Sequence, residues 1–586
     1  MLQNLQSPAD LRKLKSNDEL IHLAQEIREF LVETLSQIDH IHFSANMGVV
    51  ELSIALHYVF ETPHDELFWD IGHQGYVHKI ITGRQDSLAR IRTKSGISGF
   101  LNRAESTYDN FGAGHAGTSI SAALGAAVAS KLANTKKRFV AIIGDSSLQC
   151  GMAFEAFNHL SDFKDLNLTI VINDNNCSID PSVGGLGRHL QKLYDTGGDS
   201  IFKQLGLPYQ GPINGHDILE LLNAFKACKA AGGINIIHCR TTKGKGYGPA
   251  EKGVPRHWHA PGKFDKTTGA SLKTNNAKRY QDVFAQTLID LADENPKIVC
   301  ISAGMLSGTS LNEFQKIHPT RCFDVGIAEQ HAVTFSAGLA TQGYLPFCAI
   351  YSTFLQRALD QVIHDVALQN LPVIFCVDRS GLVGHDGATH QGVFDLSFLR
   401  CVPNLIIAAP SSAEDLRDLL FTAQLGIHSP LVIRYPRGNI LETSFSKTLK
   451  RISLGKSKII CHGQNIMIIG IGTIVQELAQ VKLLLTKEGI HAGICDALFI
   501  KPLDEKLLNE IFIDYHKIIT VEEHALMGGF GSAVAEFLID GGYKNKLLRI
   551  GIPDEFVEHA SQLEQRVQFG LDASSIAQKI LDWIEN

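Results

Sequence analysis

Two apolar runs, at 139–143 and 168–172, each stop at a polar corner: Gly144-Asp145-Ser146-Ser147 after the first and Asn173-Asp174-Asn175 after the second. Short runs without alternation predict strands buried on both faces, as in parallel sheets. The residues between them predict a helix from about Gly151 to Leu160. In such a strand–turn–helix–strand unit both strands finish on one sheet edge, so Asp145 and Asn175 are predicted to meet there. A helix is predicted over 17–38, where Leu20, Leu23, Ala24, Ile27 and Leu31 share a face. Further buried strands are predicted at 234–239, 371–377 and 429–433, and later at 465–470, 493–500, 517–521 and 547–551. Strands alternating with helices predict an α/β fold of mainly parallel sheets flanked by helices. The pattern divides into domains at 1–265, 280–445 and 446–586, with the polar, aperiodic stretch 266–279 read as a linker.

Composition narrows the picture slightly. A chain of 586 residues with 44% hydrophobic and 20% charged residues is ordinary for a globular protein. A net charge of −7 gives no reason to expect nucleic acid or an anionic membrane as partner. No apolar run is long enough to span a bilayer, and the first residues hold no signal-peptide core. Eleven scattered cysteines, an odd number without a CxxC pair, predict reduced thiols and a cytoplasmic setting, not a disulfide framework or structural zinc.

The candidate chemistry gathers at predicted strand ends. The Asp145 carboxylate, the Asn175 amide oxygen and a nearby backbone carbonyl are hard oxygen ligands that suit Mg²⁺ and leave room for phosphate oxygens. Glycines in Phe111-Gly-Ala-Gly114-His115-Ala116-Gly117-Thr118-Ser119 let backbone N–H groups approach a diphosphate. His73 and His78 are spaced poorly for zinc on one helical face. Glu329, between Ile327 and an apolar helix, is predicted buried, with its pKa raised by desolvation. Arg379 and Arg437 leave strand ends of one domain and can reach one phosphate. Gly470-Ile-Gly472 reads as a plain strand-to-helix turn, and Gly528-Gly-Phe-Gly531 opens a helix.

The corner at Asp145 and Asn175 resembles the GD…N signature of thiamine diphosphate enzymes. The chain as a whole resembles the 1-deoxy-D-xylulose-5-phosphate synthases, within the transketolase-like family. The resemblance runs through HIHFSANMGVVE (40–51), DIGHQGYVHK (70–79), GPINGHD (211–217), HWHAPGKFD (257–265), FDVGIAEQH (323–331) and YSTFLQRA (351–358). It implies three α/β domains, thiamine diphosphate and Mg²⁺ as cofactors, and a homodimer. It also implies conversion of pyruvate and D-glyceraldehyde 3-phosphate to 1-deoxy-D-xylulose 5-phosphate and CO₂, feeding isoprenoid and thiamine biosynthesis. By the same resemblance Asp145, Asn175 and Cys177 hold the metal. His73, Gly114, His115, Ala116, Ser146, Ser147, Asn175, Tyr247 and Phe354 hold the cofactor, Phe354 against its aminopyrimidine. Glu329 is the acid that activates the cofactor, and His42 and His259 move protons at the reacting side. Arg357 faces the donor carboxylate, and Arg379 and Arg437 the acceptor phosphate. Tyr351, Asp386 and His390 place the acceptor and move protons.

Three departures accompany the likeness. His40-Ile41 replace the glycines before His42, Ser146 stands where the family has glycine, and only a short connection links Gly184 to Gly211 in place of a longer excursion. Three other readings follow: a transketolase acting on ketose donors, a paralogue with an altered acceptor, and a catalytically silent binding protein. The first needs neither the DxGHQ nor the YSTFLQR form, and retention of Asp145, Asn175, Glu329 and the three arginines speaks against the last. The departures keep the paralogue open.

Overall fold

The computed structural model describes every residue except 273–276, 443, 447 and 586. The chain forms two compact units, residues 1–275 with 326–328, and residues 276–325 with 329–586.

The first unit is built on a five-stranded parallel sheet. Its strands are β1 (Glu66–Trp69), β2 (Phe139–Gly144), β3 (Leu168–Asp174), β4 (Tyr209–Asn214) and β5 (Ile234–Arg240), in the order β1-β2-β3-β5-β4. The strands read as unbroken apolar runs because both faces are covered. Val140, Ile142, Val171 and Ile237 pack on one side with the helices Asn17–Leu35 and Val50–Val59. Ala141, Ile143, Ile170 and Ile172 pack on the other with Ser119–Leu132 and Gly151–Leu160. Register pairs Gly144 with Asn173, so β2 and β3 end side by side. The first helix stops at Leu35, short of the expected 38.

The second unit holds two sheets. Strands β6 (Ile298–Ser302), β7 (Cys322–Asp324), β8 (Leu345–Tyr351), β9 (Ile374–Ser380), β10 (Ile406–Ala408) and β11 (Leu431–Pro436) are mutually parallel. The last sheet takes β12 (Lys458–Cys461), β13 (Ile466–Ile471), β14 (Gly493–Asp496) and two strands from further along the chain. Between those two groups β15 (Phe499–Lys501) crosses back, pairing antiparallel with β10 to complete the order β15-β10-β11-β9-β8-β6-β7. The last sheet is completed by β16 (Lys517–Ala525) and β17 (Lys546–Ile552), in the order β12-β14-β13-β16-β17.

Two expectations are corrected. The single strand over 493–500 is two strands in different sheets. Leu498 takes a left-handed φ of 53° and donates its N–H to the Asp496 carboxylate at 3.0 Å, turning the chain between them. The boundary between the two units falls within the expected linker 266–279, but that stretch is ordered where it is described. Asp265 accepts N–H groups from Thr267 and Thr268, Phe264 pairs with Ser271, and Arg279 pairs with Asn439 just before the helix Tyr280–Glu294. The part at 273–276 lies outside the described residues. The short connection after Gly184 is itself helical, over Gly184–Thr196 and Ile201–Gln204.

Candidate active site

In a parallel sheet, ligands collect at the carboxyl ends of the strands. In the first unit the end of β2 presents Asp145, whose N–H donates to the Asn173 carbonyl at 3.2 Å. Asp145 is only 3% exposed, and burial, with the neighbouring Asp174 carboxylate, pushes its pKa up to about 7. Asp174 stays low despite burial because His238 and Arg240 hold it at 2.9 Å each. Asp145 is therefore the buried carboxylate here that lacks a close ion-pair partner. Asp145 Oδ2 and Asn175 Oδ1 are buried without a hydrogen-bond partner, as is Ser146 Oγ. Two orphaned hard oxygens at one corner fit a magnesium ion. Ser147 begins the short turn after Ser146, and Cys177 is buried beyond Asn176, its thiol donating to the Ser178 and Asp180 carbonyls. Ser146 has φ −74°, so the corner makes no demand for the family's glycine.

The glycine-containing loop at 111–119 is fixed by Asp70. Asp70, at the end of β1, accepts the N–H groups of Gly117 at 2.8 Å and Ser119 at 3.0 Å, which holds Gly114, His115 and Ala116 ahead of the helix Ser119–Leu132. Gly117 has φ +80°, and a Cβ there would lie 2.6 Å from that of Cys150.

His42, His73 and His259 form a triangle, with ring centroids 5.6, 5.1 and 5.7 Å apart. Asn46 ties two of its corners, donating to the carbonyls of His42 and His73 at 2.8 Å each. Burial, then the Lys243 cation, lowers His73 to about 3 and His259 well below the usual histidine range, so both are neutral at pH 7. His78 is turned elsewhere, bonded to His57 at 3.0 Å and Asp109 at 3.0 Å, and shares no ligand geometry with His73. His40 takes a left-handed φ of 57° where the family's glycine would be unstrained, and Ile41 fills the core.

Lys243, just beyond β5, was missed. It is half-buried, donates to the Ser178 carbonyl, and places its charge near Asp145, Cys177 and both neutral histidines. Its turn is braced by Glu51, which takes Arg28 through two 2.5 Å bonds and His216 at 3.2 Å. The Thr242 N–H donates to His216 Nε2 at 2.8 Å, which leaves the His216 proton on Nδ1 for Glu51. The only cue to Lys243 was its place in TTKGKGY after a strand. Tyr247 stands apart from the triangle, its hydroxyl donating to the Lys266 carbonyl at 3.0 Å within an aromatic cluster of Phe43, Trp258 and Phe264.

In the second unit Glu329 opens the helix Glu329–Thr341 and is 3% exposed, with Oε2 unpartnered. Burial raises its pKa, opposed by the Arg357 cation. Tyr351, at the end of β8, stacks on Phe354 with centroids 5.7 Å apart, and Phe354 meets His390 edge-on at 5.5 Å. The Arg379 guanidinium lies 4.2 Å over the Tyr351 ring. Arg379 holds a left-handed φ of 58°, secured by Asp378, which takes its N–H at 2.7 Å and its guanidinium at 2.6 Å. Burial, then Arg379, lowers Arg437 to about 10, and Arg437 donates to Asp386 at 2.7 Å. The two half-buried guanidinium groups repel each other, and each is held by a carboxylate, Arg379 by Asp378 and Arg437 by Asp386.

Comparison with known proteins identifies the family. Residues 2–199 and 194–241 match the family model described as 1-deoxy-D-xylulose-5-phosphate synthase. Residues 276–442 match the transketolase pyrimidine binding domain, and 455–576 the transketolase C-terminal domain. The 1-deoxy-D-xylulose-5-phosphate synthase of Cytophaga hutchinsonii is 46% identical, covering 99% of this chain and 98% of its own. That of Thermomicrobium roseum is 45% identical, covering 100% and 98%. The first alignment runs to 625 positions against 586 residues here, and the first family match breaks at 194–199, where the excursion is short. Among solved structures, a split-gene transketolase described as an inactive β4 tetramer is 29% identical over 52% of this chain and 97% of its own, with a TM-score of 0.48. On the sequence matches, the chain belongs to the 1-deoxy-D-xylulose-5-phosphate synthase family of transketolase-like transferases.

Proposed function

We propose that this protein decarboxylates pyruvate and joins the remaining two-carbon unit to D-glyceraldehyde 3-phosphate, giving 1-deoxy-D-xylulose 5-phosphate and CO₂. We read it as a cytoplasmic homodimer, with 1–265 as the diphosphate and metal domain, 280–445 as the pyrimidine domain and 446–586 as the closing domain. Thiamine diphosphate, when bound, supplies the nucleophilic carbon and the electron sink. Asp145, Asn175 and the Cys177 carbonyl would hold Mg²⁺. Lys243 and the loop at Gly114, His115 and Ala116 present positive charge and N–H groups to a diphosphate. Glu329, a buried carboxyl whose pKa is raised, would donate a hydrogen bond to the cofactor's aminopyrimidine. In the His42–His73–His259 triangle, His73 and His259 are neutral at pH 7, so each would offer one ring nitrogen as acceptor and one N–H as donor beside the reacting atoms. Arg357 meets the donor carboxylate. Arg379, Arg437, Asp386 and His390, beside Tyr351, bind and orient the acceptor.

The observation that carries the acceptor is the Arg379–Arg437 pair, with Asp386 against Arg437. The test is CO₂ release from pyruvate with and without D-glyceraldehyde 3-phosphate, with product identification by mass. The reading expects release that rises on adding the acceptor and a five-carbon phosphorylated product. Release indifferent to the acceptor, or none from pyruvate, overturns it.

A further inference from the structure

Residues 381–392 form a loop closed at its base by a reciprocal backbone pair. Gly381 N–H donates to the Gly392 carbonyl at 2.7 Å and Gly392 N–H to the Gly381 carbonyl at 2.8 Å. The loop carries Asp386 and His390. Every peptide group of residues 382–384 has a partner, and four of the six are taken by side chains from the C-terminal region. Glu523 accepts the Leu382 N–H at 2.8 Å, and Gln562 donates to the Leu382 carbonyl at 2.6 Å. Gln565, wholly buried, accepts the Gly384 N–H at 3.0 Å and donates to the Gly384 carbonyl at 3.1 Å. The remaining two go to the acceptor pocket itself. Gln391 accepts the Val383 N–H at 2.8 Å, and Arg437 donates to the Val383 carbonyl at 2.9 Å. Gln562 also donates to the Arg437 carbonyl at 3.1 Å, and Arg566 steadies Glu523 at 2.8 Å. Gly381, at φ +81°, leaves room for Glu523, whose Oε1 lies 2.6 Å from where a Cβ would stand.

We infer that Glu523, Gln562 and Gln565 are positioning residues of the acceptor pocket: they clamp the backbone of the 381–392 loop so that Asp386 and Arg437 keep their geometry. This gives the C-terminal region a part in acceptor selection without a group that touches substrate. The inference rests on the reading of Arg379 and Arg437 as phosphate ligands.

The test compares Gln565→Met, Gln565→Glu and Gln562→Leu with the native enzyme, by steady-state kinetics and by calorimetric binding of D-glyceraldehyde 3-phosphate. Gln565→Met leaves the buried Gly384 N–H unmet and its carbonyl with the Gly387 N–H alone, and is expected to raise the acceptor KM and Kd by about tenfold. Its kcat and pyruvate KM stay within about twofold. Gln565→Glu keeps an acceptor for the Gly384 N–H and recovers part of the loss. Should the Gln565 variants fail to fold, Gln562→Leu, at a half-buried position, decides the matter, with about a threefold rise expected. Acceptor affinity unchanged in a folded variant, or losses in kcat, pyruvate KM and acceptor KM that all follow Tm together, overturns the inference. A native enzyme that binds the acceptor without releasing CO₂ from pyruvate refutes the proposed reaction, and the calorimetric comparison still decides this point.

Discussion

Asp386 takes the Arg437 guanidinium at 2.7 Å, and that one ion pair joins the 381–392 loop to the strand end beyond β11. Arg437 thus holds the loop at two points, the Asp386 carboxylate and the Val383 carbonyl, and in the proposed reaction it also meets the acceptor phosphate. Arg437→Ala should raise the acceptor KM by about 10- to 100-fold, the value of one charge-assisted contact, with pyruvate KM nearly unchanged. Steady-state kinetics at varied D-glyceraldehyde 3-phosphate checks this, and an unchanged acceptor KM would count against the phosphate assignment.

Glu329 is buried with one carboxyl oxygen unpartnered. Glu329→Gln keeps the shape and removes the exchangeable acid. The expected outcome is a kcat lower by about 10²- to 10⁴-fold with thiamine diphosphate affinity within a few-fold of native. Single-turnover measurements on the loaded variant check it, and native rates would remove Glu329 from the mechanism.

Glu51 gives a pH prediction. Burial would raise its carboxyl, but His216 and Arg28 outweigh that and lower it to about 2 from an ordinary 4.5. A depressed carboxylate contributes stability that is complete above about pH 4.5 and is lost as pH falls towards 2, on the order of 3 kcal/mol in all. Glu51→Gln should therefore unfold at lower urea concentration at pH 7, and its gap from native should close between pH 4.5 and 2. A gap that does not change over that range would contradict the ion-pair account.

The features legible in the sequence are those set by local pattern. The corner at Asp145 and Asn175 could be read because two runs buried on both faces can only be adjacent parallel strands with a helix between them. Glu329 could be read as buried because its neighbours are apolar on both sides. The break at Leu498 could not, because the Asp496 side chain turns the chain where hydrophobicity runs on. Nor could the bracing of the Lys243 turn, which depends on Arg28, Glu51 and His216 meeting from distant segments. Asp70 was visible as a motif letter, but its work on the Gly117 and Ser119 N–H groups appears only once β1 and the loop are folded together. The ordered turn at Asp265 was hidden because small polar residues serve a linker and a side-chain-capped turn equally well.

The most direct measurement is the magnesium dependence of thiamine diphosphate binding, by titration calorimetry, in native protein and in Asp145→Ala. The account predicts tight binding only with Mg²⁺ present, abolished by a chelator, and a loss of at least about tenfold in the variant that added Mg²⁺ does not restore. Native binding indifferent to Mg²⁺, or a variant that binds as well as native, would contradict it.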